Sequence, residues 1–174
     1  MKRIAVIGNG GGGKSRLCLA LGERLGIPVY EVDTVQYLPG WRYAPLDETV
    51  RILDGWAAAE TWIIDGLGPL PTIDRRLGRA DTIVYIDFRF AGHLWWSAKR
   101  QFVSRIRGRA WGGQRRAPSE LFMLRSLRHI HRVRPQLMEL VSRGDRSAKL
   151  VHLRSPRELG RWLGSVERVA ARSS

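Results

Sequence analysis

The stretch Ile4-Ala5-Val6-Ile7-Gly8-Asn9-Gly10-Gly11-Gly12-Gly13-Lys14-Ser15 decides how this chain folds. It begins with four apolar residues, a run typical of a short strand that is buried on both faces. Residues 8–15 then fit the G-x-x-x-x-G-K-[ST] pattern of a phosphate-binding loop. Glycines let backbone N–H groups turn inward around a phosphate, in conformations that side chains forbid. The stretch therefore predicts a strand, a phosphate-binding loop and a helix in succession.

Each part of this loop has an expected role. The helix after the loop points its positive end at the bound anion. Lys14 is expected to reach the β- and γ-phosphates of a nucleotide, and the Ser15 hydroxyl to bind Mg²⁺. We therefore predict an ATP site with Mg²⁺, formed by Gly8, Asn9, Gly10, Gly11, Gly12, Gly13, Lys14 and Ser15.

Apolar runs and helical patterns alternate along the rest of the chain. Further strands are predicted at residues 28–32, 62–64, 82–86 and 149–153, and helices at 16–25, 46–60, 90–107, 119–143 and from 155 or 156 to about 170. This alternation predicts an α/β fold with a mostly parallel sheet. Such sheets bind ligands beyond the carboxyl ends of their strands, so the phosphate loop, Asp33, Asp65 and Asp87 are expected at one edge.

Length and composition narrow the class of protein. The chain has 174 residues, which suits one domain, and no apolar run approaches the ~18 residues of a membrane span. Its one cysteine, Cys18, cannot form an internal disulfide. We therefore expect a single cytoplasmic domain over residues 1–174, without membrane insertion.

The charge of the chain is concentrated in one segment. The net charge is +14, and residues 99–134 hold ten Arg and one Lys but a single acid, Glu120. A basic segment of this kind suits nucleotide phosphates or nucleic acid, or it is a solvated face. Three tryptophans lie in or beside it, where they could stack on bases: Trp95, Trp96 and Trp111. Nucleic acid is therefore a second candidate partner.

Several short motifs resemble those of one group of proteins. They are Val32-Asp33 followed by Pro39-Gly40-Trp41, then Trp62-Ile63-Ile64-Asp65-Gly66, Ala80-Asp81-Thr82-Ile83-Val84 and Leu153-Arg154-Ser155-Pro156. With the phosphate loop, they make nearly the whole chain resemble nucleoside monophosphate kinases of the adenylate kinase-like branch. The closest resemblance is to the bacterial DNA topology modulation proteins. It implies a five-stranded parallel sheet in the order 2-3-1-4-5 and a short Arg-rich lid at about residues 100–120.

The resemblance also implies roles for single residues. Asp65 would hold the Mg²⁺ shell, although Asp87 fits the same pattern of four apolar residues followed by Asp. Arg105 would stack on the adenine, and Arg109 would reach the ATP phosphates and stabilise the transferring group. Adenylate kinases have an Arg after the Asp-Gly pair that grips an acceptor phosphate, whereas Leu67-Gly68-Pro69-Leu70 contains none.

Asp33 follows the second predicted strand, where related kinases face the acceptor. It could accept or orient the proton of an acceptor hydroxyl, bind the acceptor, or cap a helix. We take it as a candidate catalytic residue together with Lys14 and Arg109.

These features favour an ATP-dependent phosphotransferase that acts on a small acceptor, such as a nucleotide or nucleoside. Two alternatives stay open at this stage. One is a DNA-binding ATPase that modulates DNA topology, and the other is a domain that binds ATP without turning it over.

Overall fold

A computed structural model describes residues 1–8, 13–88 and 120–170. Five strands form one sheet in the order β2-β3-β1-β4-β5, and every neighbouring pair is parallel. The strands are β1 (Arg3–Gly8), β2 (Val29–Glu31), β3 (Trp62–Asp65), β4 (Thr82–Ile86) and β5 (Leu150–Leu153). The predicted α/β fold and its strand order are confirmed.

Six helices accompany the sheet in the described part of the chain. They are α1 (Lys14–Leu25), α2 (Val32–Gln36), α3 (Leu46–Ala58), α4 (Leu70–Arg79), α5 (Glu120–Ser142) and α6 (Pro156–Ala170). Short 3-10 turns cover Pro39–Trp41 and Gly144–Lys149. The predicted helices 16–25, 46–60, 119–143 and 155–170 agree with α1, α3, α5 and α6 to within two residues at each end. The predicted helix 90–107 lies outside the described residues.

The segment after β2 differs from the prediction. The second strand ends at Glu31, and Val32 begins the five-residue helix α2 rather than ending the strand. Local hydrogen bonds turn the chain here: Thr34 Oγ1 donates to the Glu31 carbonyl at 2.6 Å. Asp33 therefore lies in the first turn of a short helix, directly beyond the sheet edge.

Helix α4 is absent from the prediction. Its buried positions are Thr72, Ile73, Arg76 and Leu77, so only two of the four are apolar. A Pro in the first turn suits a helix start, but an arginine on the buried face hides the hydrophobic pattern that sequence analysis relies on.

The sheet has a hydrophobic layer on each side. Successive residues of β1 point to opposite faces, and all of them from Ile4 to Ile7 are fully buried. Ala5 and Ile7 join a core with residues of α3, α4 and α5, whereas Ile4 and Val6 join a core with residues of α1 and α6. The architecture is a three-layer α/β sandwich. No helix in the described ranges combines the length and apolar character that a bilayer span requires.

The register of the strands places the predicted site residues at one edge of the sheet. Gly8 lies opposite Ile86, so the phosphate loop leaves β1 beside the residue that precedes Asp87. Asp65 is paired with Glu31 on β2 and with Val6 on β1. The carboxyl ends of the first four strands thus converge.

Candidate active site

The phosphate-loop sequence begins where two strands approach closely. Gly8 has a φ of 139°, a value that side chains rarely adopt. A Cβ at this position would collide with the carbonyl oxygen of Ile86 and lie 3.1 Å from its carbonyl carbon. Glycine is therefore required both by the backbone conformation and by the neighbouring strand.

Helix α1 begins at the end of the same sequence. Gly13 is the N-cap residue with a φ of 79°, and its carbonyl accepts from the Leu17 N–H at 3.0 Å. Lys14 and Ser15 form the first turn of α1, which contains no acidic residue. A helix start of this kind favours an anion. Asn9, Gly10, Gly11 and Gly12 lie outside the described residues.

Ser15 and Asp65 meet at this edge of the sheet. Ser15 Oγ donates to Asp65 Oδ2 at 2.6 Å, across the ends of α1 and β3. Asp65 is only 6% exposed, and within the described structure its Oδ1 is buried with no hydrogen-bond partner. Burial raises the pKa of Asp65, although Lys14 and the Ser15 hydroxyl favour the carboxylate. A buried carboxylate oxygen beside a hydroxyl matches the oxygen donors of Mg²⁺, which needs only one or two carboxylates because it keeps several waters.

Asp87, the other candidate metal residue, is already bound by protein groups. Arg134 of α5 donates to both of its oxygens, from Nε at 2.6 Å and from Nη2 at 2.7 Å. His152 Nε2 lies 2.8 Å from Asp87 Oδ2. Burial opposes ionisation of Asp87, but Arg134 and His152 together outweigh it and hold its pKa below the usual value. Asp87 therefore joins β4 to α5 and β5, whereas Asp65 is the aspartate in contact with Ser15.

A buried arginine binds the segment that follows Asp65. Arg76 of α4 is 1% exposed, and its Nη2 donates to the carbonyls of Gly66 and Leu67, each at 2.7 Å. Burial lowers its pKa to about 10, an effect that the negative charge of Asp65 opposes. Sequence reasoning did not identify Arg76 as a site residue. The one signal in the sequence was an arginine at helical spacing from Ile73 and beside Leu77, the two apolar residues of the buried face of α4.

The sheet edge beyond β2 is acidic and aromatic. Asp33 is exposed on α2, and the pKa of the neighbouring Glu31 is raised by its burial and then by the charges of Asp65 and Asp33. Tyr37 closes the same turn, because its N–H donates to the Asp33 carbonyl at 3.3 Å. Trp41 and Tyr43 pack against Tyr37, with ring centroids 5.2 Å and 5.0 Å away. Three aromatic rings therefore form one cluster beside Asp33.

Several predicted residues lie outside the described part of the chain. They are Arg105, Arg109 and the whole lid at about residues 100–120. Two arginines of the basic segment 99–134, Arg128 and Arg132, are exposed on α5. Among residues 1–8, 13–88 and 120–170, no three His, Cys, Asp or Glu side chains are grouped so that they could hold a metal ion.

Comparison with known proteins relates the chain to one class of fold. No protein-family model matches the sequence, and no curated protein shows significant sequence similarity to it. The shikimate kinase of Acinetobacter baumannii, solved in complex with shikimate, is 14% identical with a TM-score of 0.60, over 99% of this chain and 94% of that one. The shikimate kinase of Bacteroides thetaiotaomicron is 12% identical with a TM-score of 0.55, over 97% of each chain. The chain thus has the α/β phosphate-loop fold of these kinases.

Proposed function

We propose that the protein is an ATP-dependent phosphotransferase that moves the γ-phosphoryl group of ATP to a small acceptor. The hydrogen bond from Ser15 to Asp65 carries this proposal, because it joins the phosphate-loop sequence to a buried carboxylate at the sheet edge. A glycine-rich loop before a helix binds phosphate, and a hydroxyl with an adjacent carboxylate suits the metal of a nucleoside triphosphate.

Catalysis by such a protein consists mainly of positioning and charge stabilisation. Lys14 would bind the β- and γ-phosphates, and Ser15 and Asp65 would hold Mg²⁺, which neutralises phosphate charge when bound. Arg105 would stack on the adenine and Arg109 would approach the phosphates, in keeping with the resemblance to adenylate kinases. The whole chain would act as one cytoplasmic kinase-like domain.

The acceptor we propose carries a hydroxyl group. Asp33 lies exposed at the sheet edge, where a carboxylate can accept or orient a hydroxyl proton. The arginines of α4 are all engaged by protein groups: Arg75 by Asp54, Arg76 by the loop after Asp65, and Arg79 by the carbonyls of Ala57 and Ala58. None of them is placed to grip an acceptor phosphate, which favours a hydroxyl acceptor over a nucleoside monophosphate.

Release of ADP from Mg·ATP tests the proposal. The protein is assayed alone and with separate acceptors: shikimate, which the A. baumannii enzyme binds, then nucleosides, nucleoside monophosphates and DNA. We expect one small acceptor to stimulate ADP release, and Lys14→Met to abolish the stimulation because the phosphates lose their main cationic ligand. Equal turnover by Lys14→Met would contradict the proposal.

The same assay separates the alternative functions. Stimulation by DNA alone would indicate the DNA-linked ATPase suggested by the resemblance to DNA topology modulation proteins and by the basic segment 99–134. ATP binding without stimulation by any compound would indicate a non-catalytic nucleotide-binding protein.

A further inference from the structure

Arg76 is the most deeply buried charged side chain of the described residues. It is 1% exposed and lies on the same face of α4 as Ile73 and Leu77, which belong to the hydrophobic core. A buried guanidinium is unfavourable unless its charge and its donors are compensated. The compensation that the structure provides comes from the segment that immediately follows Asp65.

Arg76 binds the backbone of this segment. Its Nη2 donates to the carbonyls of Gly66 and Leu67, each at 2.7 Å. Gly66 also has a φ of 119° and packs so closely on Val32 that a Cβ would lie 2.9 Å from the Val32 Cβ. The backbone directly after Asp65 is therefore held by contacts with both Val32 and Arg76.

The charges of Arg76 and Asp65 also attract each other. Of the described residues, none hydrogen-bonds to Arg76 Nε, Arg76 Nη1 or Asp65 Oδ1, although all three atoms are buried. Opposite charges in a buried region attract more strongly than they do in water. The presence of each of these two groups favours the ionised form of the other.

We propose that Arg76 is a positioning residue for the Mg·nucleotide site: it fixes the segment after β3 and thereby the position of the Asp65 carboxylate that accepts the Ser15 hydrogen bond. This inference rests on the proposed function, because it assumes that Asp65 serves the metal of a nucleotide. Groups that orient metal-binding side chains commonly change metal affinity by about 10- to 100-fold when they are removed.

Helix α4 supplies a matched control. Arg79 lies one turn after Arg76 and also donates to two backbone carbonyls, those of Ala57 at 2.6 Å and Ala58 at 3.0 Å. These carbonyls belong to the end of α3 and not to the segment that follows Asp65. Arg79→Met removes the same kind of interaction from the same helix without affecting the segment that holds Asp65.

The test measures ADP binding calorimetrically with Mg²⁺ and with EDTA, at a temperature where circular dichroism shows each variant to be folded. For the wild type we expect tighter binding with Mg²⁺. Arg76→Met should lose about tenfold or more of this enhancement. Arg76→Lys, which keeps the charge, should lose less, and Arg79→Met should lose none. Full enhancement in Arg76→Met would overturn the inference, as would an equal loss in Arg79→Met.

A double-variant cycle checks that Arg76 acts through Asp65. Asp65→Asn should itself remove the enhancement, and adding Arg76→Met to it should remove no more. Independent, additive losses would contradict a role that is exercised through Asp65.

A measurement on the wild type covers the case in which the Arg76 variants do not fold. The ¹⁵N Nε signals of arginine side chains are followed while Mg²⁺ is added to the ADP-bound protein. We expect the Arg76 signal to shift and the Arg79 signal to stay in place, and an unmoved Arg76 signal would overturn the inference. None of these measurements requires phosphoryl transfer. A wild type that binds Mg·ADP but transfers no phosphoryl group therefore refutes only the proposed function. An ADP affinity that is the same with Mg²⁺ and with EDTA refutes the inference.

Discussion

Replacing Gly8 by alanine should be more damaging than replacing Gly26 at the other end of α1. Two costs add at this position. A φ of 139° costs a non-glycine residue about 1–3 kcal/mol. The new Cβ would also collide with the Ile86 carbonyl, and forcing extra atoms into a packed region costs about 1–3 kcal/mol.

We therefore expect Gly8→Ala to lower the free energy of unfolding by about 4 kcal/mol, the middle of the summed range. For a chain of 174 residues this corresponds to a fall of about 10 °C in Tm. Part of the strain would be relieved by separating β1 from β4, which displaces the start of the phosphate loop. Nucleotide binding should therefore weaken as well.

Gly26→Ala is the matched control. Gly26 caps the other end of α1 with a φ of 63°, and within the described structure a Cβ there would meet no atom within 4 Å. Only the backbone cost remains, about 1–2 kcal/mol. Urea denaturation of the wild type, Gly8→Ala and Gly26→Ala gives the change in the free energy of unfolding that each replacement causes. If Gly8→Ala and Gly26→Ala destabilise the protein equally, the close approach of Gly8 to Ile86 does not have the cost argued here.

Two further predictions concern Asp87 and Asp33. Arg134→Met should lower the free energy of unfolding at pH 7 by about 1–3 kcal/mol. This loss lies between those typical of exposed and of buried ion pairs, because the Asp87 side chain is 4% exposed and the Arg134 side chain is 51% exposed. The control Arg143→Met, which breaks an exposed pair with Glu139, should cost less than about 0.5 kcal/mol. The pKa of Asp87 is lower in the folded than in the unfolded protein, so ionised Asp87 stabilises the fold above the unfolded pKa of about 3.9. This stabilisation is lost as the pH falls through the folded pKa. The difference in free energy of unfolding between the wild type and Arg134→Met should therefore become smaller toward pH 3, and urea titrations that show a constant difference would contradict this. Asp33→Asn should lower kcat by about 10²- to 10⁴-fold while Mg·ADP affinity is unchanged, and an unaltered kcat would assign Asp33 to capping or acceptor binding.

The sheet could be predicted because its strands are short apolar runs. Residues of β1 and β3 are buried on both faces, so their sequences contain almost nothing but apolar side chains. Helix α4 could not be predicted in this way, because its buried face includes Thr72 and Arg76. The turn of the chain at Val32 depends on local hydrogen bonds that an apolar pattern does not reveal.

The candidate site was predicted where it depends on a local motif. Lys14 and Ser15 follow from the phosphate-loop pattern, and Asp65 from its place at the end of a strand that resembles one in adenylate kinases. The contacts of Asp87 with Arg134 and His152 join residues 47 and 65 positions apart. Such contacts depend on how α5 and β5 pack beside β4, and sequence spacing does not specify that packing.

The fate of the γ-phosphoryl group tests the central claim most directly. Mg·ATP labelled with ³²P at the γ-position is incubated with the protein and the acceptor that stimulates ADP release most strongly, beside Lys14→Met. We predict that the label appears in the acceptor in proportion to the ADP formed, and that Lys14→Met transfers none. Label found only in inorganic phosphate, or equal transfer by Lys14→Met, would contradict the assignment of this chain as a small-molecule kinase.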